Sequence, residues 1–214
     1  MGVRKNDYQR YVIAEGRLVG DFERMYRECR DPWQIRTAIR TLPEYELILA
    51  FIRHHRAKTR RRLRILEIGS GKGHFTARLA ELGEVTGIEV SPTAIRHAQR
   101  RVPDARFVCA DLNTDRLDFP RQFDIVVFYR VVWYLIPGLV RCLQMLRSAL
   151  RPDGLGIFEI NYYRGKYYGR DRIRGKNDYL RLLQRDFRVR ETLDLFPDTA
   201  RNPSCSLVTV ERKR

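Results

Sequence analysis

Long apolar segments are absent from this sequence of 214 residues. Its longest uninterrupted apolar runs, 47–52 and 131–136, have six residues each, whereas a membrane-spanning helix needs about 20. Residues 1–11 are polar and contain no signal-peptide core. The hydrophobic fraction of 43% is nonetheless typical of a globular protein. We therefore predict one structural domain, located in the cytoplasm.

Cysteine and histidine are both scarce, with four residues of each. The cysteines, at positions 29, 109, 142 and 205, form no CxxC pair, and no histidine stands at metal-ligand spacing from them. We expect free thiols and no metal site.

Lysine is rare as well, because 36 of the 42 basic residues are arginine. The net charge of +16 favours acidic partners, such as RNA, anionic lipids or phosphorylated and carboxylated small molecules. The arginines are spread along the whole chain, which is also expected if the coding sequence simply prefers arginine as a solvated cation. The densest cluster, 53–62, is interpreted as a solvated linker, with a phosphate-binding patch as the alternative.

Strand-like and helix-like segments alternate from residue 64 to residue 161, which indicates a parallel sheet covered by helices. The predicted strands are Arg64–Ile68, Glu84–Glu89, Arg106–Ala110, Phe123–Phe128 and Leu155–Ile160, with helices near 72–81, 92–101 and 138–150. A helix near 177–186 and two strands, 187–193 and 206–212, are expected to finish the sheet as an antiparallel hairpin. Residues 1–60 are predicted to form a helical cap on residues 61–214, within one α/β domain.

A glycine-rich loop follows the first predicted strand. Glycines at 69, 71 and 73 let the backbone turn tightly and approach a ligand. The spacing is GxGxG, which differs from the GxGxxG typical of dinucleotide sites, and the loop lacks the GK[ST] ending of a P-loop. Together with Ser70, these glycines are predicted to contact a cofactor.

Three acidic residues stand at the ends of successive strands. Glu67 precedes the glycines, where a carboxylate would repel a pyrophosphate but attract the amino group of a methionine moiety. Glu89 ends the second strand and is placed to bind ribose hydroxyls. Asp111 follows the third strand and can bind an adenine amino group. This order favours S-adenosylmethionine as the cofactor over NAD or ATP.

With these motifs the segment 63–160 resembles the class I S-adenosylmethionine-dependent methyltransferases. The resemblance implies a seven-stranded, mostly parallel, Rossmann-like sheet in the order 3-2-1-4-5-7-6. It also implies cofactor contacts at Glu67, Gly69, Gly71, Glu89 and Asp111, and a backbone contact from Leu112. A second pattern, F-x-x-x-Y…D-P-W over residues 22–33, resembles the nodulation N-methyltransferases, which act on chitooligosaccharides, and their small-molecule relatives.

The acceptor is expected over the carboxyl ends of the fourth and fifth strands. Arg130 stands where the nodulation-like enzymes tend to have an acid, and this suggests an acceptor with negative charge; the alternative is that Arg130 faces solvent or pairs with a neighbouring acid. Trp133 and Tyr134 are expected either to contact the acceptor or to pack in the core.

The segment 161–176 is rich in tyrosine, arginine and glycine. We interpret it as a lid-like insertion in which Tyr163 contacts the acceptor, although an RNA-binding strip would have the same composition. Methyl transfer relies largely on positioning. If a base is used, Tyr129, Glu159 and Tyr162 are the candidates, and the predicted catalytic set is Tyr129, Arg130 and Tyr162.

The sequence therefore predicts a methyltransferase that uses S-adenosylmethionine and acts on nitrogen or oxygen of a small-molecule or glycan acceptor. The charge keeps an alternative open, namely an RNA-modifying enzyme or a nucleic-acid-binding protein. Against it, the chain has no NPPY-type motif, no appended RNA-binding module and no catalytic-cysteine motif.

Overall fold

A seven-stranded sheet forms the centre of the molecule, which we describe from a computed structural model over residues 8–59, 61–119, 122–163, 165–195 and 205–213. The strands are β1 (Leu63–Ile68), β2 (Gly83–Glu89), β3 (Arg106–Cys109), β4 (Phe123–Phe128), β5 (Leu150–Asn161), β6 (Phe187–Leu195) and β7 (Cys205–Arg212). Their order is β3-β2-β1-β4-β5-β7-β6. Strands β1 to β5 are parallel, and β7 pairs antiparallel with β5 and β6. The predicted fold and strand order are confirmed.

The central strands are apolar because helices cover both of their faces. Every residue of β4 is buried, and so is all of β1 except Arg64. Two buried acids interrupt these apolar strands, Glu67 in β1 and Asp124 in β4. The Asp124 carboxylate accepts a hydrogen bond from the Arg64 backbone N–H at 2.8 Å and pairs with Arg61 at 2.5 Å. This pair lies at the amino ends of the strands, on the side away from the predicted site.

The helices are α1 (Gln9–Val12), α2 (Phe22–Glu28), α3 (Ile35–Thr41), α4 (Pro43–Ala57), α5 (His74–Ala80), α6 (Pro92–Arg101), α7 (Leu139–Ala149) and α8 (Lys176–Leu183). A 3₁₀ turn, Val132–Leu135, precedes α7. Helix α6 has the predicted bounds, because Ser91 accepts a hydrogen bond from the Ala94 N–H at 3.1 Å and Pro92 takes the first helical position. Helix α5 starts two residues later than predicted, because the loop extends to Gly73.

Residues 8–59 are mainly helical, with one feature that the sequence did not predict. Ile13–Ala14 and Arg17–Leu18 form a short hairpin whose turn residues, Glu15 and Gly16, both have positive φ. Helix α4 shares a hydrophobic core with β1 and β4, so it belongs to the helical layer on the sheet. The cap proper is thus α1 to α3 with the hairpin; residues 1–7 and 60 of the predicted cap lie outside the described residues.

Two contacts fix α2 over the glycine loop. The Glu23 carboxylate accepts hydrogen bonds from Ser91 Oγ at 2.6 Å and from the N–H and Oγ1 of Thr93 at 3.0 and 2.6 Å. Burial opposes its ionisation, but these hydrogen bonds lower the pKa of Glu23 to about 2. At the other end of α2, Lys72 Nζ donates to the carbonyls of Cys29 and Arg30 at 3.3 and 2.8 Å. The cap therefore lies directly over the predicted cofactor loop.

Candidate active site

The backbone of the glycine loop lies against other chain segments that leave no room for side chains. Gly69 and Gly71 have φ of +75° and +53°, in the left-handed region that favours glycine. A Cβ at Gly69 would lie 2.4 Å from Val131 Cγ1, and one at Gly71 would lie 2.9 Å from Tyr26 Oη. Both residues line a cavity at the carboxyl ends of β1, β2 and β4. Glycine is therefore required where the loop faces this cavity.

Gly73 packs against the neighbouring helix α6. It does not line the cavity; instead, a Cβ at this position would lie 3.0 Å from Cα and Cβ of Ala98 in α6. With φ of +75°, Gly73 lets α5 pack closely against α6. The structure thus explains the glycine at 73 by helix packing, and the cofactor contact at Gly73 stays a prediction.

The cavity has a volume of about 300 Å³, within the range of small-molecule sites. It brings together the other residues predicted to contact the cofactor. These are Glu67, Gly69, Ser70, Gly71, Glu89, Asp111 and Leu112.

Glu67 is a buried carboxylate at the end of β1. Its Oε2 accepts a hydrogen bond of 2.5 Å from the hydroxyl of Thr76, a fully buried residue of α5. Burial raises the pKa of Glu67 to about 7, Thr76 lowers it, and the charge of Glu89 raises it further. An ionised Glu67 is therefore costly in the empty cavity, and a cationic ligand group would stabilise it.

Glu89 holds the loop in place from the end of β2. Its Oε2 accepts a hydrogen bond from the Gly71 N–H at 3.0 Å, and its Oε1 accepts from the N–H groups of Val90 and Ser91 at 2.9 and 3.0 Å. Burial raises the pKa of Glu89, and these three donors lower it. The carboxylate thus orients the loop, and Glu89 also lines the cavity.

Two further residues complete this side of the cavity. Asp111 Oδ1 accepts a hydrogen bond from the Asn113 N–H at 2.9 Å, which fixes the turn after β3 and places Leu112 against the cavity. Ser70 Oγ is buried and has no hydrogen-bond partner among the described residues. A buried hydroxyl without a partner is costly, and a polar ligand would satisfy it.

Arg130 stands two residues after the end of β4 and lines the same cavity. It has φ of +57°, unusual for a residue other than glycine, and its N–H donates to Glu159 Oε2 at 2.9 Å. The guanidinium donates to Tyr129 Oη at 2.8 Å and to Glu44 Oε1 at 3.2 Å. The alternative that Arg130 pairs with an acid is therefore realised, although its side chain remains 37% exposed and lines the cavity.

Trp133, Tyr134 and Tyr163 line the same cavity as Arg130, and their contact with an acceptor stays a prediction. Trp133 also belongs to the core, and its Nε1 donates to the Asn161 carbonyl at 3.0 Å. Tyr134 Oη accepts a hydrogen bond of 3.2 Å from Trp33 Nε1 of the cap.

Two of the three candidate bases lie outside the cavity. Tyr162 packs against the main core cluster, because neighbouring residues at a strand end point to opposite faces and Tyr163 takes the cavity side. Glu159 is buried behind Arg130 and reaches the site only through it. Tyr129 does line the cavity, but burial raises the pKa of its phenol, an effect that the Arg130 charge only partly offsets. The position of Tyr162 thus gives no support to its catalytic assignment, which stays a prediction, and Tyr129 is a protonated phenol at neutral pH.

The lid-like segment 161–176 contributes Asn161 and Tyr163 to the cavity. Farther along, Ile173 is buried in the main core, and Tyr167 Oη donates to its carbonyl at 2.9 Å. Residue 164 lies outside the described residues. This segment is thus anchored at its far end, and its role as a lid stays a prediction.

The cap supplies residues that the sequence reading did not assign to the site. They are Tyr8, Phe22, Tyr26, Asp31, Pro32, Trp33 and Ile35. The pattern over residues 22–33 resembles that of the nodulation N-methyltransferases, but it does not predict that these residues lie over the glycine loop. No sequence pattern around Glu44 predicts that it accepts a hydrogen bond from Arg130.

Comparisons with known proteins agree with this geometry. The family model described as "Methyltransferase domain" matches residues 65–154. Residues 65–154 form a class I methyltransferase domain. The chain is 28% identical to nodulation protein S of Azorhizobium caulinodans over 65% of its own length and 67% of that protein. It is 32% identical to trans-aconitate 2-methyltransferase of Rhodopseudomonas palustris over 43% of its own length and 36% of that protein.

The fold of this chain is shared with solved structures. The N-methyltransferase NodS of Bradyrhizobium japonicum, in complex with S-adenosylhomocysteine, superposes with a TM-score of 0.67, at 18% identity, over 99% of this chain and all of the other. The predicted resemblance, enzyme class and cofactor are thereby confirmed at the level of the domain. In the part of the chain that the structure describes, no helix is long and apolar enough to cross a membrane.

The residues present fit S-adenosylmethionine. Glu67 offers a buried carboxylate, Ser70 Oγ needs a partner, and the Gly71 backbone is open to the cavity. When bound, the cofactor supplies an electrophilic methyl group on a sulfonium.

Because burial raises the pKa of Glu67 to about 7, we expect the affinity of this site for the cofactor to depend on pH. An ammonium group pairs only with the ionised carboxylate, so binding releases a proton below this pKa. The affinity for S-adenosylhomocysteine should therefore fall by up to about tenfold per pH unit below about pH 7 and level off above it. Calorimetry between about pH 5.5 and 8 measures this.

Thr76 supplies the control for this profile. Thr76→Val keeps the volume but removes the donor that lowers the Glu67 pKa, so the inflection should move to higher pH, whereas Thr76→Ser should leave it in place. A flat profile, or the same shift in both variants, would contradict the role of Glu67.

Proposed function

We propose that the protein transfers a methyl group from S-adenosylmethionine to nitrogen or oxygen of a small acceptor that carries a carboxylate or a similar anionic group. Arg130 carries this proposal, because it is a basic residue that lines the same cavity as Glu67 and Glu89. In such α/β folds, ligands bind outside the carboxyl ends of the strands.

The guanidinium of Arg130 is held in position but is not saturated. Of its five N–H donors, one bonds Tyr129 and one bonds Glu44. With respect to the described residues, three donors are thus left for a ligand, which is enough for paired hydrogen bonds to a carboxylate. Since Tyr129 and Glu44 already fix the side chain, an acceptor need not order it, and this favours binding.

The names of the relatives support a small acceptor. Trans-aconitate 2-methyltransferase is named for a carboxylic acid, and NodS is described as an N-methyltransferase. Of the three candidate bases, only Tyr129 lines the cavity, and its phenol is protonated. We assign Tyr129 a positioning role, in which it orients Arg130, and the rate would come from positioning and desolvation.

Arg130→Gln tests this function. We expect at least an about tenfold rise in KM for acidic acceptors, since hydrogen bonds to charged groups are lost. Transfer would be followed as S-adenosylhomocysteine release with a panel of small carboxylic acids and their amides. Arg130→Lys should recover part of the loss, because a point charge replaces the paired donors, and S-adenosylhomocysteine affinity should stay within about twofold in both variants.

Two results would contradict the proposal. One is an unchanged KM for acids in Arg130→Gln. The other is methyl transfer to RNA but to no small acceptor, with RNA affinity that falls steeply with salt and does not depend on Arg130.

A further inference from the structure

Aromatic side chains form the wall of the cavity around Arg130, and the proposed function does not use them. Tyr8 and Trp33 come from the cap, Tyr134 from the 3₁₀ turn, and Tyr163 from the segment after β5. Ring centroids are 5.7 Å apart for Tyr8 and Trp33 and 6.1 Å apart for Trp33 and Tyr134. Four separate segments of the chain therefore meet in one aromatic wall.

The rings of this wall do not form a flat platform. The interplanar angle is 58° between Tyr8 and Trp33 and 49° between Trp33 and Tyr134. Tyr163 lies at 58° to Trp133, with centroids 6.0 Å apart. Coplanar rings would favour stacking along an extended ligand. Inclined rings instead can contact a single flat group at its edges and its faces.

The wall stands close to the Arg130 charge. Burial raises the pKa of Tyr8, Tyr134 and Tyr163, and the Arg130 charge lowers the pKa of each in return. Tyr163 is 46% exposed, as suits a residue at the mouth of the cavity. An acceptor held by Arg130 would thus have its remaining atoms against these rings.

We propose that the acceptor is an aromatic acid, with its ring against Tyr8, Trp33, Tyr134 and Tyr163 and its carboxylate on Arg130. This inference rests on the proposed function and narrows its acceptor class. Aromatic contacts select for a flat ring and Arg130 selects for the charge, so the two preferences are separable.

Four probes separate them: benzoate, benzamide, cyclohexanecarboxylate and cyclohexanecarboxamide. Their binding to the full chain saturated with S-adenosylhomocysteine would be measured by ligand-observed NMR titration. We expect benzoate to bind most tightly, about fivefold more tightly than cyclohexanecarboxylate, as aromatic contacts allow. Its advantage over benzamide should be larger and should vanish in Arg130→Gln.

Variants of the wall test the ring contacts directly. Tyr163→Leu should remove much of the preference for benzoate over cyclohexanecarboxylate, and Tyr163→Phe should keep it. Tyr168→Leu is the matched control, because Tyr168 is in the same segment but does not line the cavity. Because Tyr163 is exposed, we expect its variants to fold normally, and their S-adenosylhomocysteine affinity verifies this.

The outcomes distinguish this inference from the proposed function. Equal binding of the two acids, with both preferred to the amides, would overturn the aromatic class and leave the acidic acceptor standing. Equal binding of benzoate and benzamide would overturn the role of Arg130 and with it the proposed function. Absence of benzoate binding would overturn the aromatic acid.

Discussion

We expect Glu67→Gln to lower the affinity for S-adenosylhomocysteine by about 100-fold, the upper range for the loss of a hydrogen bond to a charged group. Glu67 is the buried carboxylate of the cavity that stands before the glycine loop, and its Oε2 is already held by Thr76. The amide keeps the shape of the side chain but cannot neutralise an ammonium group. Calorimetry at about pH 8, where the wild-type carboxylate is ionised, measures the change.

Glu81→Gln is the control for this substitution. Glu81 stands just after α5, its side chain is 63% exposed, and it does not line the cavity. Its replacement should leave the affinity unchanged. If Glu67→Gln and Glu81→Gln bound S-adenosylhomocysteine with equal affinity, the amino group of the cofactor would be held by a residue other than Glu67.

Gly71→Val should abolish measurable S-adenosylhomocysteine binding. Valine is strained at φ of +53°, and its Cβ would stand 2.9 Å from Tyr26 Oη. Its methyl groups would also occupy space in the cavity that the Gly71 backbone lines. Calorimetry should show no heat of binding, while circular dichroism should show a folded protein.

Gly16→Val separates the site from the backbone strain. Gly16 has φ of +71° in the cap hairpin, and a Cβ there would meet nothing within 4 Å. Both variants thus force valine into the left-handed region, but only Gly71→Val obstructs the cavity. Comparable loss of binding in both would mean that strain alone, and not contact with the ligand, explains the effect.

The fold and half of the site could be read from the sequence because each signal was local. The strands are short apolar runs, and the residues Glu67, Gly69 and Gly71 lie within one five-residue stretch. Glu89 and Asp111 follow from their places at the ends of the next two strands. Parallel strands bring their carboxyl ends to one edge, so the position along each strand is enough to place these residues together.

The acceptor side depended on contacts between distant segments. Glu44 and Arg130 are 86 residues apart in the sequence, and nothing near Glu44 indicates its partner. Tyr162 faces the core and Tyr163 faces the cavity, just after the end of β5. The sequence does not show which of two adjacent tyrosines takes which face. Gly73 fitted the glycine spacing, but only the position of α6 reveals that Ala98 is its neighbour.

Because Gly71 faces the cavity and Gly73 faces α6, the two positions should differ in how their sequence changes during evolution. A descendant that stopped using the cofactor would still need Gly73, because the backbone and Cβ of Ala98 stand 3.0 Å from where a Cβ would be. Position 71 would be less constrained, since its near neighbour is the movable end of the Tyr26 side chain and only its φ of +53° would still favour glycine or asparagine. Inactive descendants should thus be recognised by drift at position 71, while position 73 stays glycine.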